Sequence, residues 1–102
     1  MRAYAAAIVA GVVPPHQLPG ADLVRRGVDD LARGVESEAA FLVSIGAPRL
    51  RSIGIDVSSP LPSPEHRLYE LLQRVHGDDA HSRYNALVRR LVSFERAAEC
   101  AR

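Results

Sequence analysis

The chain has no tryptophan, one methionine, two phenylalanines and three tyrosines in 102 residues, so the large aromatic anchors that dominate tight protein surfaces are scarce. It also has no lysine: all thirteen of its basic residues are arginine, against twelve carboxylates, for a formal charge of +1. That near-balance argues against a strongly basic nucleic-acid-binding domain, which normally shows a clear positive excess. Arginine without lysine, together with abundant Ala, Val, Gly and Pro, suits the codon usage of a GC-rich bacterial genome and says little about a ligand. Its single cysteine, Cys100, cannot close a disulfide within the chain, so a reducing cytoplasm is expected.

Long hydrophobic runs are missing too. The longest, Ala3 to Val13, follows Met1-Arg2 like the front of a signal peptide, but no small-x-small cleavage site precedes Pro14-Pro15. It is far shorter than the roughly 20 apolar residues that span a bilayer, and it suits a short buried helix or, less well, a strand. No membrane association is expected. What remains is a chain sized for one domain, 1–102, whose apolar content is mostly Ala, Val and Leu: a modest core that can lean on a partner or a second copy.

The periodicity is helical. Val24, Val28, Leu31, Val35, Leu42 and Ile45 recur at spacings of three and four once Glu38 is counted in the stripe, which predicts one long amphipathic helix over about 22–45. Asp22 with Arg26 and Asp29 with Arg33 are placed as acid-before-base pairs on its outer face. Gly27 and Gly34 weaken it, and their position at the stripe's edge suggests close approach of another helix. Ala47 to Ile53 reads as a short helix with Pro48 in its first turn, Gly54 past its end and Ile55 as the apolar contact that follows such a cap. The alternation Ile53, Ile55, Val57 offers a strand instead, but nothing else in the sequence would pair with it.

Three prolines make 58–64 an extended linker. Ser63, Pro64 and Glu65 then carry the signals of a helix start, with Leu68, Leu71, Leu72 and Val75 on its buried face and Gly77 as its stop. A last helix runs on Tyr84, Leu87, Val88, Leu91, Phe94 and Ala98. The expected fold is all-α, a compact bundle of four to five helices with the long helix at about 22–45.

Chemistry-bearing groups are few. His76, Asp78, Asp79 and His81 fall on one turn and could meet at a metal, but they lack the cysteine-rich or paired spacing of structural zinc sites, so neither metal nor cofactor is expected. Arg74 and His81 satisfy the Arg-x(4–6)-His spacing of a family of helical ribonucleases. Val75 stands where that family usually has a polar residue and Gly77 interrupts the segment, so this resemblance transfers no catalytic role. Cys100 lies near a helix C-terminus, which disfavours the thiolate, and no general base stands beside it. No catalytic residues are assigned.

Two glutamates break the apolar stripes. Glu38 projects near Leu31 and Leu42, and Glu95 projects between Tyr84 and Val88. A carboxylate there needs an internal Arg or Tyr contact, or a bound protein that covers it. Together with Leu42, Phe94 and the flanking Arg83 and Arg90, these two residues form the expected partner-binding set. The function expected is a small protein–protein interaction module, such as the antitoxin or accessory subunit of a two-gene system, whose partner is another protein or a second copy of itself. The alternatives are a helix-turn-helix-like DNA regulator presenting Arg49 and Arg51 from the short helix, and a ribonuclease-like enzyme using Arg74 and His81.

Overall fold

A computed structural model of the chain describes residues 18–101. The order is α1 (Ala21–Ala32), α2 (Glu38–Ile45), α3 (Ala47–Ser52), α4 (Pro64–His76), a single 3-10 turn at Gly77–Asp79, and α5 (Ala80–Ala101). The fold is an all-α bundle, and among the described residues there is no strand. None of the described helices is long and apolar enough to cross a membrane. The expected helix over Ala3 to Val13 lies outside the described residues.

The segment expected as one helix from Asp22 to Ile45 is two. Gly34 takes a left-handed conformation, φ 73°, that other residues adopt at a cost. The Gly34 amide donates to the Leu31 carbonyl at 3.1 Å and the Val35 amide to the Asp30 carbonyl at 2.8 Å, the paired bonds that close a helix after a C′ glycine. Ser37 then opens α2, its Oγ accepting from the Ala40 amide at 3.1 Å. The two helices fold back on each other and cross at Gly27, where an added Cβ would lie 2.3 Å from the Ala39 carbonyl oxygen. Close approach is therefore the reason for Gly27, whereas Gly34 is a stop signal. The expected pairs within the first helix give way to other partners: Arg33 binds Asp30, and Asp22 accepts from Arg90 at 3.4 Å.

α2 is the middle of the molecule. Ala39, Ala40, Phe41, Leu42, Val43 and Ser44 are all buried, covering every side of the helix, with α1 packed on one flank and α4 and α5 against others. A helix that is apolar all round has no face to give to water and must be enclosed. Around it Val24, Leu50, Ile53, Leu68, Leu72 and Phe94 complete the core. Each such side chain, fully buried, contributes roughly 1.5–3 kcal/mol of transfer free energy.

The short helix α3 forms as its sequence predicts. Gly54 (φ 92°) donates to the Arg51 carbonyl at 3.0 Å and Ile55 to the Leu50 carbonyl at 3.0 Å, while Leu50 and Ile55 are both buried. Beyond it Ile55 and Val57 point inward and Asp56 outward, so the alternation that suggested a strand belongs to an extended segment lying on the helices. Its polar backbone is satisfied from the side: Arg51 donates through Nε and Nη2 to the Val57 carbonyl at 3.1 and 2.7 Å. Ser44, buried in α2, donates to the Ala40 carbonyl at 2.8 Å and accepts from the Leu61 amide at 3.0 Å. Ser63 precedes α4 as expected, but at φ 45° its hydroxyl makes no capping bond; Pro64 in the first turn carries the start.

Candidate functional site

The structure separates the expected partner-binding set into two groups. Leu42 and Phe94 are fully enclosed and Glu95 is 5% exposed, so these three are interior residues of this chain rather than surface anchors. The reason is the centrality of α2: Leu42 sits among α1, α4 and α5, and Phe94 and Glu95 face inward from α5.

Glu95 finds the internal arginine that its position demands. Its Oε2 lies over the joint between α2 and α3, 2.8 Å from where a Cβ on Gly46 would stand, beside the Leu91 methyls. Arg49 brings Nε to 3.8 Å from Glu95 Oε1 and donates through Nε and Nη2 to Glu99 Oε1 at 2.9 and 2.7 Å. Burial pushes the Glu95 carboxyl above the usual carboxylate range; Arg49 opposes that shift and Glu99 adds to it. Arg49 in turn is held more firmly charged by its bond to Glu99. The two arginines of the DNA-binding alternative thus both have internal partners, Arg49 on α5 and Arg51 on the Val57 carbonyl. The helix that bears them has six residues, less than two turns.

Glu38, Arg83 and Arg90 come together at the surface. With Ala86 and Leu87 they line a cavity of about 190 Å³ between the start of α2 and the outer side of α5. Glu38 is also a wall of a neighbouring groove of about 480 Å³, whose other walls include Leu23, Arg26, Ala39 and Leu71. Its carboxylate is 38% exposed and lies 3.7 Å from His76 Nε2. The two cavities share Glu38, with Arg26 of α1 lining the groove and Arg83 and Arg90 of α5 lining the smaller cavity.

The remaining candidates do not converge. His76 faces Glu38, while His81 is 3.2 Å from Asn85 and packs near the Tyr69 ring at 6.5 Å between centroids. Arg74 shares a shallow surface with Glu70 and Gln73. Among the described residues no three His, Cys, Asp or Glu side chains gather as a metal-holding group.

The sequence reading missed the corner between α1 and α2. Asp30, 5% exposed, accepts from Ser37 Oγ at 2.6 Å and pairs with Arg33. The Ser37 bond, and after it the Arg33 charge, hold its carboxyl below the ordinary range in spite of burial. The signal was present in Gly34 followed by Ser37-Glu38, a stop and then a cap. Arg67 was also missed: it bonds Glu36 at 2.6 Å and lies 4.9 Å over the Phe41 ring, a lid that no local pattern announces.

Comparison with family models, with curated proteins and with solved structures finds no match for this chain. The class established is that of an all-α bundle, and the functional reading rests on the face around Glu38.

Proposed function

We propose that the chain is a small protein–protein interaction module that works through the face centred on Glu38, in the form of an accessory or neutralising subunit of a two-gene system. The observation that supports this reading is the composition of that face: Glu38, Arg83 and Arg90 around one cavity with Leu87 in its wall, and Leu23 and Leu71 in the walls of the groove that Glu38 also lines. Charges that fix orientation around apolar side chains that supply area are the ingredients of a protein interface.

The test is affinity capture from the source cell with the wild-type chain and Arg83→Glu side by side, with and without nuclease. The expected outcome is a protein retained by the wild type, insensitive to nuclease and lost with Arg83→Glu. Binding through phosphates would instead weaken by orders of magnitude between about 50 and 200 mM salt, through counterion release. Recovery of nucleic acid alone, with that salt dependence, would overturn the reading.

A further inference from the structure

The two buried carboxyls differ in their hydrogen bonds. Asp30 accepts from Ser37 and Arg33, whereas among the described residues no group donates a hydrogen bond to either oxygen of Glu95. Glu95 Oε2 faces the backbone of Gly46 and the Leu91 methyls, and Oε1 stands 3.8 Å from Arg49 Nε, beyond hydrogen-bond range. Arg49 has committed its donors elsewhere. Nε carries a single hydrogen, and it goes to Glu99 Oε1 at 2.9 Å, with Nη2 on the same oxygen at 2.7 Å. The charged groups that face Glu95 are these two, Arg49 from α3 and Glu99 one turn further along α5.

This arrangement suits a protonated Glu95, because an enclosed carboxylate without a donor is far costlier than the neutral acid. Once ionised, Glu95 needs a donor, and a shift of about 1 Å brings Arg49 Nε into range while Nη2 stays on Glu99. The exchange favours the interior site. Glu99, with its side chain 44% exposed, can replace the lost bond with water, whereas Glu95 cannot. We propose that Arg49 is a two-position clasp between α3 and α5, its Nε hydrogen donated to Glu99 when Glu95 is protonated and to Glu95 when Glu95 is ionised. Burial of Glu95 keeps the neutral form accessible in mild acid. A proton taken up inside the bundle is thereby read at its surface, where Glu99 gains or loses one of its two bonds to Arg49.

Nuclear magnetic resonance of the isotope-labelled full chain between about pH 4 and pH 8 tests the clasp, following the Arg49 Nε–Hε signal and the side-chain carboxyl carbons of Glu95 and Glu99. In the wild type the Arg49 signal is expected to move in step with the Glu95 titration. Glu95→Gln, a neutral acceptor of the same shape, should hold that signal at its acid position throughout. Glu99→Gln removes the competing carboxylate and should move the Glu95 titration to lower pH, with the Arg49 signal still following it; this variant decides the matter if Glu95→Gln fails to fold by circular dichroism. An Arg49 signal indifferent to the Glu95 titration, one that keeps the same step in Glu95→Gln, or a Glu95 carboxyl that does not titrate in this range would overturn the inference.

Discussion

Glu38 and Glu95 look alike in the sequence, each a carboxylate set into an apolar stripe, and the fold gives them opposite fates. Glu95 is carried inward by α5 and lies beside Arg49, with Glu99 completing a chain of charges from the interior to the surface. Glu38 opens α2 at the rim, where its flanking arginines are near but unpaired with it. A polar residue on an apolar face therefore marks either an internal ion pair or an exposed rim of the fold, and which one depends on what the rest of the chain brings to it.

The sharpest way to break this comparison is to reverse both charges. Glu95→Lys would enclose a cation at a 5%-exposed position beside Arg49, and an uncompensated buried charge of this kind should cost about 3–5 kcal/mol in chemical denaturation. Glu38→Lys changes a half-exposed residue in a helix first turn and should cost about 1 kcal/mol or less. Equal losses would mean that the two environments are not distinct.

Asp30 supplies an intermediate case, enclosed like Glu95 but with its hydrogen bonds made. Asp30→Ala, leaving the Ser37 hydroxyl and the corner between α1 and α2 without their acceptor, should cost about 2 kcal/mol by the same measurement.

The pH dependence of stability sharpens the contrast further, because the two buried carboxyls shift in opposite directions. Asp30 is held below its ordinary value of 3.8, so its contribution is present above that value and is lost as pH falls through the lower folded value. Glu95 is raised above its ordinary 4.5, so the folded chain takes up its proton first. Stability from this group therefore grows as pH falls from neutral through the raised value, and levels off below 4.5. Removing the opposing charge with Arg49→Met should raise the Glu95 value further and steepen that slope. Glu95→Gln should abolish it. Thermal unfolding of the wild type and both variants across the acid range reads each effect, and a wild-type profile that Glu95→Gln leaves unchanged would show that Glu95 does not set it.

The helices, the cap after α3 and most inward residues of α4 and α5 were legible because each has a local cause, apolar spacing, a proline at a start or a glycine at a stop, although Val75, expected on the buried face of α4, is 60% exposed. The break between α1 and α2 was hidden by the same logic. The stripe continues in phase across 33–37, so periodicity masks the turn that Gly34 followed by Ser37-Glu38 marks and that two backbone hydrogen bonds close. The site divided in the same way. Arg83 and Arg90 could be placed beside the α5 stripe from periodicity alone, and Glu38 was noticed as an anomaly. That they share a cavity depends on α2 packing against α5, which period counting does not convey. Leu42 and Phe94 were misassigned because an apolar stripe looks the same whether the chain itself or another molecule covers it.

Ser44 shows how a small polar group can decide the cooperative unit of a fold. Its hydroxyl is held by the Ala40 carbonyl and in turn holds the Leu61 amide, so the proline-rich segment is anchored to the most enclosed helix in the molecule rather than merely laid across it. Opening that segment breaks the bond from the Leu61 amide to a hydroxyl buried in α2, which links the motion of a surface loop to the core. A stretch that composition marks as a linker is thereby tied to the helices it connects, and its amide at Leu61 should exchange hydrogen more slowly than those of its exposed neighbours.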